Sequence, residues 1–549
     1  MRLFPSLLAA ALALTGCVSV HSRPLVSRAD AGPSAALGTG LVSAADPRAA
    51  DAGAAMLRQG GSAADAAIAT LLALNVVEPE SSGIGGGGFL VYRDAKGAVQ
   101  TYDGREEAPH AAGGDWFFAN GQPLSIEQAI PGGRSVGVPG NIRLIYKASH
   151  DHGRLPWKAL FQPAIALARD GFVMTPRLHN SLDAYRETGA LSAEARALYY
   201  GSDGHPLSIG TRIRNPALAD FLTMIAERGP DSFYVGPNAN AIAATVSHAR
   251  RNPAPLSIGD LASYEAKRRP PVCGIYRAYR ICGMGPPTSG GTAVYATLKM
   301  LERFDLSTLG PNSPVAWHLI AESMRLAYAD RDRYLADADY IPVPVAGLMD
   351  PAYLAARSAL ISPDRTIANV TAGAPRGATA VRPGLQPAEH GTSHLVNGYY
   401  LNNELTDFSL VPNVNGVPVA NRVAGGKRPR SSMAPTIVFG SDGHVRLAIG
   451  AAGGATIPAQ VIKAIIAVLD WHLAAQQAIA LPVLYAPSGP TVYVEKGSSL
   501  EAMIPALVAL GHSDVRAREP SFKANAIEWV DCHWAGAADP RSEGAAVTP

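Results

Sequence analysis

The chain has 549 residues, 47% of them apolar and 17% charged, with a formal net charge of +2. Charge of mixed sign and that size leaves no basic footprint, which argues against a nucleic-acid partner. The apolar share supports a sizeable core, and 55 glycines with 43 prolines describe a loop-rich chain with many tight turns.

Arg2, an apolar run from Leu3 to Leu14 and the small residues before Cys17 have the layout of an export signal. The run is too short to cross a bilayer as a mature helix. "LTGC" resembles the lipobox of bacterial lipoproteins. Residues 1–16 are therefore expected to be a signal peptide, Cys17 to carry lipid, and residues 17–38 to form a lipidated N-terminus and polar tether. Val18 after the cysteine points to the outer membrane, at its periplasmic face. The alternative is an ordinary signal peptide and a soluble periplasmic protein. Any membrane contact is expected through this anchor alone.

From Ala49 to Leu74 the pattern predicts two Ala-rich helices broken at Gly60-Gly61, the second capped by Ser62. "GIGGGG", Gly83 to Gly88, matches a dinucleotide fingerprint, but it has a helix before it and a strand (Phe89 to Tyr92) after it. That is the wrong order for a nucleotide site, so the glycines are read as permitting close backbone packing. "GRSVG", Gly133 to Gly137, matches a nucleophile elbow with Ser135 at its centre. Glycine and proline punctuate both sides, where the elbow needs a buried strand and a helix, so it is read as a loop. Cys273 and Cys282 frame a hairpin turning near Arg277-Ala278, which sets them opposite each other. A disulfide and two reduced, half-buried thiols are both open readings, with Cys532 outside the pair. No cysteine spacing suits zinc, and no metal site is expected.

Asn312 to Leu335 reads as a helix with Trp317, Ile320, Met324 and Ala327 in one stripe. Glu322, Arg325, Asp330, Arg331, Asp332 and Arg333 beside it read as a solvated, salt-bridged face. A hairpin on Asp442-Gly443 follows Thr436. Ile457 to Tyr485, broken by Lys463, Asp470 and His472, reads as one buried helix. Strands and helices in blocks predict an α+β fold with a mixed or antiparallel sheet.

Several residues carry chemistry. A threonine becomes a good nucleophile when the peptide bond before it is cut, because its own α-amine then serves as base. Thr392 after Gly391 fits such a cut. Gly453 and Gly454 sit where a strand gives way to a helix, and amides there suit an oxyanion. Arg105 in "DGREEAP" can clamp a carboxylate in a bidentate pair. Ser431 and Ser432 in "RPRSSMAP" offer adjacent hydroxyls, and Glu404 and Asp407 can receive an ammonium. Together the set suits a zwitterion such as the α-amino acid head of a substrate.

These segments resemble the gamma-glutamyltransferase family of N-terminal-nucleophile hydrolases. "DGREEAP", "SVGVPG", "PPTSGG", "LNNELTDFS", "KRPRSSMAPTIV", "GAAGG" and "GAADPRSEGAA" stand in family order, and the likeness covers nearly the whole chain after the tether. The resemblance implies a four-layer αββα sandwich and an enzyme that needs no cofactor. Residues 39–391 would be the large-subunit region and residues 392–549 the small-subunit region, entwined as a heterodimer cut from one precursor; 549 less 391 leaves 158 residues in the small one. Thr392 would process the chain at the Gly391–Thr392 bond and then take the γ-glutamyl group from glutathione or a related amide. Water, an amino acid or a peptide would resolve the ester. Arg105, Ser431 and Ser432 would hold the substrate α-carboxylate, Glu404 and Asp407 its α-amine, and Gly453 and Gly454 the oxyanion. Pro412 to Lys427 would form a lid.

One stretch departs from the family pattern. Thr392 to Asn402 spans 10 positions, too few for the hairpin and loop the family places there. The missing piece is on the order of 25 residues, from two strands of ordinary length with their turn and loop. With it go a threonine that would bond the nucleophile and an asparagine that would touch the substrate. Losing a strand of the central sheet is expected to expose a ladder edge. Slow or absent maturation follows as an expectation. The alternatives are a member that only binds γ-glutamyl compounds, and a related acylase acting on β-lactam side chains.

Overall fold

The computed structural model describes residues 40–384, 394–520 and 522–549. The expectations for residues 1–38, Cys17, Gly391 and Thr392 lie outside the described residues.

The chain opens on helices α1 (Pro47–Arg58) and α2 (Ala63–Val77), as the pattern predicts. The Ser62 side chain accepts from the Asp65 amide, and the Asp65 carboxylate accepts from Ser62 in return, which closes a capping box. Strands β1 (Gly88–Arg93) and β2 (Val99–Gly104) follow, then α3 (Asn141–His152) and β3 (Lys267–Arg269). Next come β4 (Val272–Tyr276) and β5 (Tyr279–Gly283), α4 (Gly290–Leu301) and α5 (Pro314–Tyr334). The last part holds β6 (Leu395–Val396), β7 (Tyr399–Tyr400), β8 (Thr436–Phe439), β9 (Val445–Ala452), α6 (Ile457–Leu469), α7 (Ala475–Ala480), β10 (Lys523–Val530) and β11 (His533–Ala538).

One antiparallel sheet runs β11-β10-β9-β8-β5-β4 and a second runs β1-β2-β3. Period-two alternation of side chains shows what lies on each face. Ile281, Val438, Leu447 and Ile449 enter one core with α4, α5 and α6. Their neighbours Cys282, Ile437, Phe439 and Ala448 meet Val91 and Val99 between the two sheets, joined by Val445, which a bulge opposite Phe439 turns to the same side. Leu90 points the other way, into the core that includes Ile142 and Ile145 of α3. The layers are therefore helix, sheet, sheet, helix, which is the αββα sandwich.

The glycine run is needed for space. A Cβ on Gly85 would lie 2.1 Å from the Tyr400 carbonyl oxygen, and one on Gly87 2.4 Å from that of Gly104. Cys273 and Cys282 pair across β4 and β5 and are joined by a disulfide, with Arg277 at the turn in a left-handed conformation.

Two expectations need correcting. Ile457 to Tyr485 is not one helix: α6 stops at Leu469, and α7 and a short strand follow. The Asp470 carboxylate is drawn to the Tyr276 hydroxyl and Arg277, which anchors the chain where the helix ends. Among the described residues no helix is long and apolar enough to cross a membrane. Nor is the charged face of α5 solvated: Glu322, Arg325, Asp330 and Arg331 are all at most 5% exposed. Glu322 pairs with Arg325 and accepts from the Ile367 amide; Asp330 accepts from the Tyr353 hydroxyl and the Gly373 amide. Helical periodicity separates polar from apolar faces, but it does not say that the polar face meets water.

The short stretch is a hairpin with two-residue strands. β6 and β7 turn on Asn397 and Gly398, both left-handed, and the Asn397 side chain donates to Asn238. Among the described residues β1 pairs with β2 alone, and all six of its residues are partly exposed.

Asp65 tests how the helical layer is held. One oxygen of its buried carboxylate accepts from the Ser62 amide and hydroxyl and from the amides of Arg154 and Leu155. Asp65→Ala is expected to cost about 3 kcal/mol in urea unfolding, since it strands several donors of a charge-assisted set. Asp65→Asn, which keeps one acceptor oxygen, should recover more than half of that. Equal losses in the two variants would contradict the reading.

Candidate active site

Arg105 leaves the end of β2 and is 1% exposed. Its backbone is fixed first: its N–H donates to Asp103, and its carbonyl accepts from the Tyr264 hydroxyl. Its Nε donates to the Pro429 carbonyl at 3.3 Å, on the loop that carries Ser431 and Ser432. Nη1 lies 2.6 Å from Glu404 and 3.4 Å from Glu106, and Nη2 pairs with Asp407. Burial works against this charge, but Glu404, Glu106 and Asp407 outweigh it, so the guanidinium is held protonated above its usual range.

Glu404 to Asp407 form a 3-10 turn directly after the short hairpin. Asn402 sets the approach to it. Its side chain donates to the Gly85 and Gly137 carbonyls and accepts from the Gly137 amide. The Leu405 amide donates to the Ser135 carbonyl. The Gly133-to-Gly137 segment is thus a brace for this turn. Ser135 is fully buried and its hydroxyl donates to the Gly132 carbonyl, which leaves no elbow geometry.

The Ser431–Ser432 loop is stitched to the "PPTSGG" turn. The Ser289 amide and hydroxyl both donate to the Ser431 carbonyl, at 2.9 and 2.7 Å. Thr288 donates to the Met433 carbonyl at 2.6 Å. Ser432 accepts from Arg331 of α5 at 2.7 Å. Asn421 couples the halves, donating to the Asp407 carbonyl and accepting from the Arg430 amide. Burial, with the Arg331 guanidinium alongside, pushes Arg430 down to about 9.

Gly453 and Gly454 follow β9 with φ of +131° and +56°, values that favour glycine, and α6 begins three residues later. Their turn is closed by the Thr456 hydroxyl on the Gly453 carbonyl, and the Tyr328 hydroxyl of α5 donates to the Ala455 carbonyl. Pro412 to Lys427 forms a short hairpin, Asn413–Val414 with Val417–Pro418. Lys427 ties its base by donating to the Ala420 and Arg422 carbonyls; burial pushes its amine down to about 7.

The structure thus links Arg105, Glu404 and Asp407 to the Ser431–Ser432 loop by hydrogen bonds, and ties the turn after Gly453 and Gly454 through Tyr328 to the same helix that reaches Ser432 through Arg331. Gly391 and Thr392 lie outside the described residues. Among the described residues no cluster of His, Cys, Asp or Glu is placed to hold a metal. Sequence reasoning missed Arg331, Tyr328, Asn402 and Asn421. Asn402 stood inside a motif already singled out; Arg331 was hidden in the face read as solvated, and Tyr328 stood unmarked on the same helix.

A family model described as Gamma-glutamyltranspeptidase matches residues 49–397 and 389–548. The chain is 33% identical over 550 residues to the glutathione hydrolase proenzyme of Bacillus subtilis (strain 168), with 92% of this chain and 91% of that protein covered. It superposes on the cephalosporin acylase from Bacillus halodurans with a TM-score of 0.80 at 26% identity, covering 96% of this chain and 98% of that one. Against Helicobacter pylori gamma-glutamyltranspeptidase the TM-score is 0.60 at 34% identity, over 62% of this chain and 97% of that one.

Glu106 offers a pH test of the site. Burial raises its carboxyl from 4.5 to about 8, against the pull of Arg105 and with the help of Glu404 and Asp407. An acid raised by folding keeps its proton in the native state after the unfolded chain has lost it. Native stability therefore falls as pH climbs from about 4.5 to about 8. Urea midpoints across that window should fall more steeply in the wild type than in Glu106→Gln. Parallel curves would show that Glu106 titrates normally.

Proposed function

Because the chain belongs to the gamma-glutamyltranspeptidase family of N-terminal-nucleophile hydrolases, and is accordingly a transferase and hydrolase, we propose that it acts on γ-glutamyl amides such as glutathione. Thr392 first attacks the Gly391 carbonyl; the peptide shifts to an ester, and water opens it. The freed α-amine of Thr392 then takes the proton from Oγ as Oγ adds to the substrate γ-carbonyl carbon. That proton leaves with the departing amine as the carbon–nitrogen bond breaks, and a γ-glutamyl ester remains. Water or the amine of an amino acid or peptide adds to the ester and returns the hydroxyl to Thr392.

The observation that carries the reading is the buried ion pairing of Arg105 with Glu404 and Asp407 beside the Ser431–Ser432 loop. A site holding one cation and more than one carboxylate, next to paired hydroxyls, suits a ligand with its own ammonium and carboxylate. In this reading the substrate ammonium meets Glu404 and Asp407, and its carboxylate meets Arg105, Ser431 and Ser432. Gly453 and Gly454 receive the oxyanion, and the Pro412-to-Lys427 hairpin is the lid. A glutaryl amide, which lacks the α-amine, should be turned over about a hundredfold less well than the γ-glutamyl amide, because a charged hydrogen-bonded contact is worth a few kcal/mol. Equal turnover would favour an acylase instead.

The short link from Thr392 to the hairpin is proposed to slow maturation. Supporting this, the family model matches the chain in two pieces, residues 49–397 and 389–548, which meet at this link. Export and lipidation at Cys17 remain the reading of "LTGC", with Cys17→Ser expected to move the protein from the membrane fraction to the soluble one.

Intact mass with N-terminal sequencing tests the whole account. Freshly purified protein should be mostly uncut and on incubation yield a 158-residue chain beginning Thr392-Ser393-His394, while Thr392→Ala should stay whole and inactive on a γ-glutamyl anilide. A wild type that never cuts would leave a protein that only binds γ-glutamyl compounds. A heavier small chain would mean that the natural protein carries the longer hairpin.

A further inference from the structure

Two side chains one turn apart on α5 reach two parts of the site that the chain brings from distant sequence. Arg331 Nη2 donates to Ser432 Oγ at 2.7 Å, and its Nε donates to Ser289 Oγ at 2.8 Å. Ser289 passes the contact on to the Ser431 carbonyl. Tyr328, whose ring lies 5.2 Å from the Arg331 guanidinium carbon, donates to the Ala455 carbonyl at 2.6 Å, next to Gly453 and Gly454. Both side chains are buried, and Arg331 is held in turn by Asp332 and by Arg430, which donates to its carbonyl. Residues at i and i+3 of a helix stand about 5–6 Å apart, so α5 sets the spacing between the serine pair and the glycine pair.

Hydroxyl chemistry gives Arg331 a more specific role. A serine hydroxyl owns one proton and two lone pairs. When its oxygen accepts from a guanidinium, the proton is left for another acceptor and is polarised by the cation behind it. Ser431 is arranged in parallel fashion: its oxygen accepts from the Met433 amide at 3.0 Å. The "PPTSGG" turn keeps the loop in place, since a Cβ on Gly290 would lie 2.2 Å from the Met433 carbonyl oxygen.

We propose that Arg331 and Tyr328 are positioning residues for the reaction. Arg331 turns the Ser432 hydroxyl into a charge-backed donor for the substrate α-carboxylate, and Tyr328 holds the turn that presents the Gly453 and Gly454 amides to the oxyanion. The proposal rests on the γ-glutamyl reading and adds to it a source of selectivity for the carboxylate that never touches the substrate.

The test compares a γ-glutamyl anilide with a 4-aminobutyryl anilide, which has the amine but no α-carboxylate. In Arg331→Met, KM for the γ-glutamyl amide should rise roughly ten- to a hundredfold, with a smaller change in kcat, because a charge-assisted hydrogen bond is lost. KM for the 4-aminobutyryl amide should hardly move. Arg331→Lys should recover only part of the loss, since an ammonium cannot reproduce the two-serine fork. Tyr328→Phe should lower kcat for both amides alike and leave KM nearly unchanged. Should Arg331→Met fail to fold, Ser289→Ala and Arg331→Lys carry the same comparison in milder form. A loss that is equal for both amides in the Arg331 variants would overturn the proposal and mark Arg331 as structural. A wild type that, once cut before Thr392, does not distinguish the two amides or uses neither would overturn the γ-glutamyl reading and this inference with it.

Discussion

A guanidinium cannot leave water alone, and the site is organised around that constraint. Arg105, Arg331, Arg428 and Arg430 are each at most 4% exposed. Each needs carboxylates, carbonyls or hydroxyls brought to it, and these come from segments far apart in sequence: Glu404 and Asp407 to Arg105, Asp103 and Glu107 to Arg428, Ser289 and Ser432 to Arg331, Asp332 to Arg430. Breaking one member of such a set leaves a buried charge without its partner, which costs more than the pair contributes when intact. The two sheets, the helix α5 and the loops after β7 and before β8 are locked to one another through these pairs. The same requirement that holds the fold together therefore gathers the groups suited to a zwitterionic ligand.

The sandwich tolerates its short segment for a related reason. Asn402 spans the Gly85 and Gly137 backbones whatever precedes it, and β6 and β7 close a minimal hairpin before it. The turn bearing Glu404 and Asp407 is thus positioned by Asn402 just before it and by the Gly85 and Gly133-to-Gly137 loops. Among the described residues β1 pairs with β2 alone, and its residues stay partly exposed along the edge of the smaller sheet.

Much of the fold was legible residue by residue. The break at Gly60-Gly61, the cap at Ser62, the cysteine hairpin and the turn at Asp442-Gly443 are local events, written in short-range rules of capping, alternation and turn chemistry. The glycine run after α2 was also legible, because its order of helix, glycines and strand excluded a nucleotide loop and left close packing. The polar face of α5 was not legible: six charged residues at helical spacing look the same whether they face water or a buried network. The end of α6 was missed for a similar reason, since the partners that hold Asp470 where the helix stops, Tyr276 and Arg277, come from a distant hairpin.

By itself the sequence determined most element types, and its ordered motifs, through their likeness to a known family, pointed to the αββα class and to Arg105, Glu404, Asp407, Ser431, Ser432, Gly453 and Gly454 as a candidate set. Capping, alternation and turn chemistry are enough for the elements; the class and the site set rest on the resemblance. Only the tertiary structure decided that Arg105 is matched by the carboxylates of its own chain, that the cysteine pair is bridged, and that Arg331 and Tyr328 stand behind the serine and glycine pairs. Those outcomes depend on which distant segments cover a given side chain. Coverage is a property of the packed molecule, because the cost of burying a charge or a hydroxyl is met only by partners that folding brings within hydrogen-bond reach.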